Sequence, residues 1–210
     1  MRPINPWPLF AKIEPSSPAG EAYRVLRTHI RFALGDGGGR TVCVVSCLPG
    51  EGRSLTAANL ATALAREGRS TLLVDADLRK PVLHRIFQCD GYRGLTHALE
   101  RPESWMQAAK ETGVAHLTLL AAGSRHPEPA ELLSGGALGR ILDEAREAFD
   151  AVVLDTPPLI PYADARIAAA LSDGVLMVVG AGKVKRRQVT EALGHLRQVG
   201  ANVLGAVVNG

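Results

Sequence analysis

The chain is predicted to fold as an α/β domain built on a doubly wound, mostly parallel sheet with helices on both faces. Two observations carry this expectation. Short apolar runs alternate with helical segments along the chain, and the first run is joined to its helix by a glycine-rich turn. A third agrees with them, since two later runs end in aspartate, as strands that deliver acidic groups to the carboxyl edge of a sheet do.

In chain order, Thr41 to Ser46 reads as the first buried strand and Ser54 to Arg66 as an Ala-rich helix. Further runs at Ser70 to Asp75, Leu117 to Ala121, Ala151 to Asp155, Gly174 to Val179 and Asn202 to Val208 read as strands. Helices are expected over Gly136 to Phe149, Asp164 to Leu171 and Arg187 to Val199. The stretch from Cys89 to Gly113 fits neither period. Ahead of the first strand, Ala22, Leu26, Ile30 and Leu34 recur at helical spacing from Glu21 to Leu34, and the glycines that follow stop the helix. Residues 1–19 hold five of the thirteen prolines and read as an extended arm, which leaves 20–210 as the folded domain.

Composition narrows the function. A length of 210 residues suits one α/β core, and 46% apolar residues with only 4% aromatic suit a Val, Leu and Ala interior. The net charge of +3 does not point to nucleic acid. Three cysteines without a C-x-x-C pair argue against both a disulfide framework and structural zinc, and the six histidines show no metal-ligand spacing. A reducing, cytoplasmic setting is expected. No apolar run reaches membrane-spanning length, so membrane contact is expected to be peripheral.

The strongest chemical signal is Cys47-Leu48-Pro49-Gly50-Glu51-Gly52-Arg53-Ser54-Leu55. A glycine turn between strand and helix points backbone N–H groups inward, and the helix that follows presents its positive end to an anion. Against the pattern G-x-x-x-x-G-K-[ST], Cys47 replaces the first glycine and Arg53 the lysine, while Ser54 stands where the hydroxyl ligates Mg²⁺. Asp155 closes Val152-Val153-Leu154 as a carboxylate that would hold Mg²⁺ through water. Asp75 and Asp77 follow Leu72-Leu73-Val74, the first fit to contact the metal, the second to take a proton from an attacking hydroxyl. A plain helix-capping role for Asp75 and Asp77 is the alternative.

These motifs together resemble the bacterial tyrosine kinases that accompany chain-length regulators in capsule and exopolysaccharide export. Pro49-Gly50-Glu51-Gly52-Arg53-Ser54 is similar to the family's P-G-E-G-K-S, Asp75-Ala76-Asp77-Leu78-Arg79 to its D-x-D-x-R, and Asp155-Thr156-Pro157-Pro158 to its D-T-P-P. Glu21, Arg24 and Arg27 resemble the E-x-x-R-x-x-R helix through which family members form rings; read alone, the three make a charged stripe of the kind usually solvated. Pro127-Glu128-Pro129 to Leu133 is similar to P-N-P-x-E-L-L, with Glu128 in place of asparagine.

The resemblance implies a P-loop NTPase fold, ATP and Mg²⁺ as cofactors, and phosphoryl transfer to a protein tyrosine. It further implies a homo-oligomeric ring beneath a membrane-embedded regulator, at the inner face of the membrane. It suggests Asn209 as an adenine contact, beside a plain strand-end turn; Asp164, after D-T-P-P, is open between a family position and a helix cap. The family commonly ends in a tyrosine-rich tail, whereas the tyrosines here are Tyr23, Tyr92 and Tyr162. Arg53 implies a weakened kinase. The alternatives are a non-catalytic ATP-binding assembly factor and a positioning ATPase of the chromosome-partition kind, which usually carries a lysine where Leu48 stands. Lys183, Lys185, Arg186 and Arg187 read as a solvated basic face, or one for an anionic membrane surface.

Overall fold

The computed structural model describes residues 17–35 and 40–210. The residues expected to form the arm lie outside this range up to 16, and so do four of the residues after Gly35. The first helix, α1 (Pro18–Leu34), starts two residues earlier than the arm boundary, because Ser17 caps it by accepting the Gly20 N–H at 3.1 Å.

Seven strands make one sheet in the order β3-β4-β2-β5-β1-β6-β7. They are β1 (Arg40–Ser46), β2 (Thr71–Asp75), β3 (Lys110–Glu111), β4 (Leu117–Leu120), β5 (Ala151–Asp155), β6 (Gly174–Gly180) and β7 (Val203–Asn209). Among the described residues all pairings are parallel except β3 with β4. The central strands read as unbroken apolar runs because both faces are covered. Val42 and Val44 point to one side, against α1 and α2 (Arg53–Ala65); Cys43 and Val45 point to the other. That second face carries α7 (Ala137–Ala148), α8 (Asp164–Ala170) and α9 (Arg186–Gln198), whose inward residues include Leu138, Ile141, Ala168 and Leu196.

The ambiguous stretch resolves into short pieces. After α3 (Leu83–Phe87) come α4 (Leu95–Glu100), a single 3₁₀ turn, α5 (Trp105–Ala108) and the antiparallel edge strand β3. None is long enough to show a helical period. Trp105 anchors the region, buried with its indole N–H donated to Glu144 Oε2 at 2.6 Å. The remaining helix, α6 (Pro129–Ser134), opens on the proline of the P-E-P segment. Among the described residues, no helix is long and apolar enough to cross a membrane.

Candidate active site

Because β1, β2 and β5 are parallel and adjacent through β5, their carboxyl ends bring the glycine loop, Asp75 and Asp155 to one edge of the sheet. Asp75 and Asp155 are direct partners in the ladder. The loop after β1 turns through Gly50 at φ +82° and Gly52 at φ +87°, where a side chain is strained. At Gly52 there is also no room: a Cβ would sit 1.9 Å from the Asn209 amide nitrogen. Helix α2 then begins at Arg53 without a side-chain cap. The N–H groups of its first turn, those of Arg53, Ser54 and Leu55, therefore remain available to an anion.

Beneath this cradle the Arg53 side chain is 8% exposed and spans two carboxylates. Its Nε donates to Asp155 Oδ1 at 2.7 Å and its Nη2 to Asp77 Oδ2 at 2.8 Å, while Nη1 reaches Ser46 Oγ at 3.3 Å. Nη2 also lies 3.4 Å from Ser54 Oγ. Burial works against the Arg53 charge, yet Asp155 and Asp77 outweigh it and hold its pKa above the usual arginine value. Burial pushes the Asp155 carboxyl up, with Arg53 and the Ser54 hydroxyl pulling the other way. Asp75 is driven well above the carboxylate range by burial and then by Asp155. Of this facing pair, Asp155 is the one held against the Arg53 guanidinium, while Asp75 faces Asp155 across the ladder.

The residues fit a bound Mg²⁺ and nucleoside triphosphate. Asp155 Oδ2 is buried without a hydrogen-bond partner, an acceptor that a cation would satisfy. The Ser54 hydroxyl stands beside it. Among the described residues no three His, Cys, Asp or Glu side chains gather as a ligand set. Asp75, expected at the metal, has both oxygens on backbone: Oδ1 accepts the Asp77 N–H at 3.3 Å and Oδ2 the Leu83 N–H at 3.1 Å. Asp77 Oδ1 accepts the N–H groups of Arg79 and Lys80, which fixes its other oxygen toward Arg53.

Several expected residues take unexpected parts. The Glu51 side chain turns inward and is 1% exposed, its oxygens accepting the Leu48 N–H at 2.5 Å and the Gly180 N–H at 2.8 Å. Only the Glu51 backbone is left for a ligand. Asn209 donates its amide to the Glu51 carbonyl at 3.0 Å, so the end of β7 clamps the loop. Pro49 is exposed at the loop's outer turn. Lys183 is exposed, as are Lys185, Arg186 and Arg187, and it also donates Nζ to the Gly50 carbonyl at 2.8 Å. Asp164 is not a cap: fully buried, it accepts Arg79 Nε at 2.9 Å and Nη2 at 3.0 Å. Arg79 in turn lies over the Tyr162 ring, 4.2 Å from its centroid.

On α1 the charged stripe divides. Glu21 and Arg24 are paired with each other at 2.5 Å in reach of solvent. Arg27 pairs instead with Glu67, 2.7 Å away past the end of α2, and donates to the Ala63 carbonyl at 3.3 Å, so it packs α1 onto α2.

A parallel sheet with a glycine loop, an uncapped helix start and strand-end carboxylates defines a P-loop NTPase. The family described as "ParA: NUBPL iron-transfer P-loop NTPase" matches residues 39–210. Tyrosine-protein kinase YwqD of Bacillus subtilis is 41% identical over 96% of this chain and 85% of its own length. Succinoglycan biosynthesis transport protein ExoP of Rhizobium meliloti is 36% identical over 93% of the chain, a match that takes in 25% of ExoP. The solved kinase domain of the Escherichia coli tyrosine kinase ETK superposes with a TM-score of 0.90 at 28% identity, covering 96% of this chain and 79% of that one. The chain belongs to the bacterial tyrosine-kinase branch of the P-loop NTPases.

Proposed function

We propose that this chain is an ATP-dependent protein-tyrosine kinase domain acting in exopolysaccharide or capsule production. The observation that carries the reading is the meeting of Arg53, Asp77 and Asp155 under the loop at the carboxyl edge of the sheet. Mg·ATP supplies the phosphoryl group and the charge that neutralises its transfer. The N–H groups of Gly50, Glu51, Gly52, Arg53, Ser54 and Leu55 hold phosphate oxygens, and Arg53 adds a guanidinium. Ser54 and Asp155 hold the cation, with Asp75 positioning Asp155 from the neighbouring strand. Asp77 accepts the proton of a tyrosine hydroxyl.

In this reading the domain works at the inner face of the membrane under a membrane-embedded chain-length regulator and assembles as a ring. The exposed Glu21 and the half-buried Arg24 paired with it on α1 form the contact between copies. The names of YwqD and ExoP support the reaction and the pathway.

A second reading, a non-catalytic ATP-binding assembly factor, is favoured by one observation: Arg53 is committed to two carboxylates at once. One experiment separates the two. The purified chain is incubated with Mg·ATP and the cytoplasmic segment of the regulator, and phosphotyrosine is measured beside nucleotide binding. A kinase forms phosphotyrosine and loses it in Ser54→Ala; an assembly factor binds Mg·ATP and forms none.

A further inference from the structure

We infer that Tyr92 is a phosphoacceptor of this chain, modified at the active site of a second copy, an inference that rests on the kinase reading above. The chain has three tyrosines. Tyr162 is half-buried beneath Arg79, and Tyr23 is half-buried on α1. Tyr92 is 71% exposed.

The loop between α3 and α4 is built to present it. Asp90 Oδ1 accepts the Tyr92 N–H at 3.0 Å, which fixes the backbone at the tip. The glycines on either side press the chain against the body of the domain. A Cβ on Gly91 would lie 2.7 Å from the His84 ring, and one on Gly94 only 2.0 Å from the Ala121 carbonyl. Between two such close approaches the tyrosine side chain is left outside. The next residues are tied down as well, Leu95 N–H to Ala121 O at 2.7 Å and Thr96 N–H to Ala122 O at 2.9 Å.

Ala121 and Ala122 follow β4, so Tyr92 stands at the same carboxyl edge as Asp77 and the glycine loop. It does not stand beside its own loop. From β4 to β1 is three strand steps, roughly 14 Å, more than a tyrosine side chain spans. A second copy meets no such limit. The phenol also borders a cleft of about 530 Å³ whose lining includes Arg93, His97 and Arg101, together with Glu100 and Glu103. A phosphate placed there draws the two guanidiniums to itself, since they bind it at two points each.

The step balances without a further reactant. The Tyr92 phenolic oxygen forms a bond to the γ-phosphorus as the bond from that phosphorus to the β,γ-bridging oxygen breaks. ADP leaves, and the phenolic proton passes to Asp77 of the copy that holds ATP.

The test mixes unlabelled wild type with heavy-nitrogen-labelled Asp77→Asn chain, Mg·ATP and the polymer poly(Glu,Tyr) as a reporter of kinase activity. Trypsin releases residues 86–93 as one fragment carrying Tyr92, and its mass tells which copy was modified. Phosphate is expected on this fragment from the labelled, inactive chain. Tyr92→Phe is expected to lower the phosphate the protein itself takes up about tenfold while the polymer is phosphorylated at the wild-type rate. A phosphorylated polymer with residues 86–93 unmodified overturns the inference and leaves the kinase reading standing. So does phosphate confined to the unlabelled chain, or to Tyr23 and Tyr162. An unmodified polymer and protein overturn both.

Discussion

The buried carboxylate of Glu51 accepts the Gly180 N–H across the sheet at 2.8 Å, binding the phosphate loop to the end of β6. Its second oxygen closes the loop on itself through Leu48. Glu51→Ala leaves two enclosed N–H groups without acceptors, which costs about 2–4 kcal/mol. Urea unfolding should show that loss, and calorimetry a weaker Mg·ATP affinity, because the loop then orders only on binding. An unchanged midpoint would mean that the loop does not depend on this tether.

Arg79 and Asp164 form a pair with unequal partners, since Asp164 is fully buried and the Arg79 side chain is 29% exposed. Removing the arginine strands a carboxylate in the interior, whereas removing the carboxylate lets the arginine turn to water. Arg79→Met is therefore expected to cost about 3–5 kcal/mol and Asp164→Asn clearly less. Urea midpoints of the two variants check the order, and equal losses would contradict it.

Arg24 and Arg27 share a helix face in the sequence and separate in the structure, Arg24 pairing with Glu21 and Arg27 with Glu67. Arg27→Ala breaks its links to Glu67 and Ala63 and should lower the unfolding free energy by about 1–2 kcal/mol. Arg24→Glu should leave stability within about 0.5 kcal/mol and instead reduce self-association in sedimentation at matched concentration. If Arg24→Glu sediments as wild type does, α1 is not the contact between copies.

The two core cysteines stay protonated. Burial pushes Cys43 up to about 12, and burial with Glu51 pushes Cys47 up to about 11. Both folded values lie above the ordinary 9.0, so the stability they lend is complete below pH 9 and falls as pH rises toward 11. At pH 8 iodoacetamide should leave both unlabelled until urea is added. Labelling of native Cys47 at that pH would show that the loop opens.

The sequence already places the frame of this site, for a physical reason. A strand buried on both faces of a parallel sheet reads as an apolar run, and Ala151 to Asp155 is recovered end for end. The glycines and the helix start are equally local. What escapes is carried by distant partners: Glu51 meets Gly180, Lys183 meets Gly50 and Asp164 meets Arg79 only because the sheet brings β6 and α8 round to the loops after β1 and β2. Arg27 looks like one more member of a solvated stripe until α2 is packed beneath it. In α3 and α4, with five and six residues, no helical period has room to develop. The antiparallel pairing of β3 with β4 rests on two residues.

The proposed weakening of the kinase turns on Arg53. Its fork grips Asp155 through Nε and Asp77 through Nη2, and to follow charge during transfer it has to give up two short buried hydrogen bonds. While it holds Asp77 it occupies an oxygen of the carboxylate that is to take the tyrosine proton. Contacts equally strong before and during transfer favour binding without raising the rate. The measurement that decides is phosphoryl transfer to tyrosine in single turnover, with the regulator's segment present and Mg·ATP affinity fixed by calorimetry, in wild type and Arg53→Lys. Arg53→Lys is predicted to transfer about tenfold faster or more with affinity changed far less, whereas a wild type as fast as Arg53→Lys would contradict the weakened kinase and make Arg53 a competent replacement for the loop lysine.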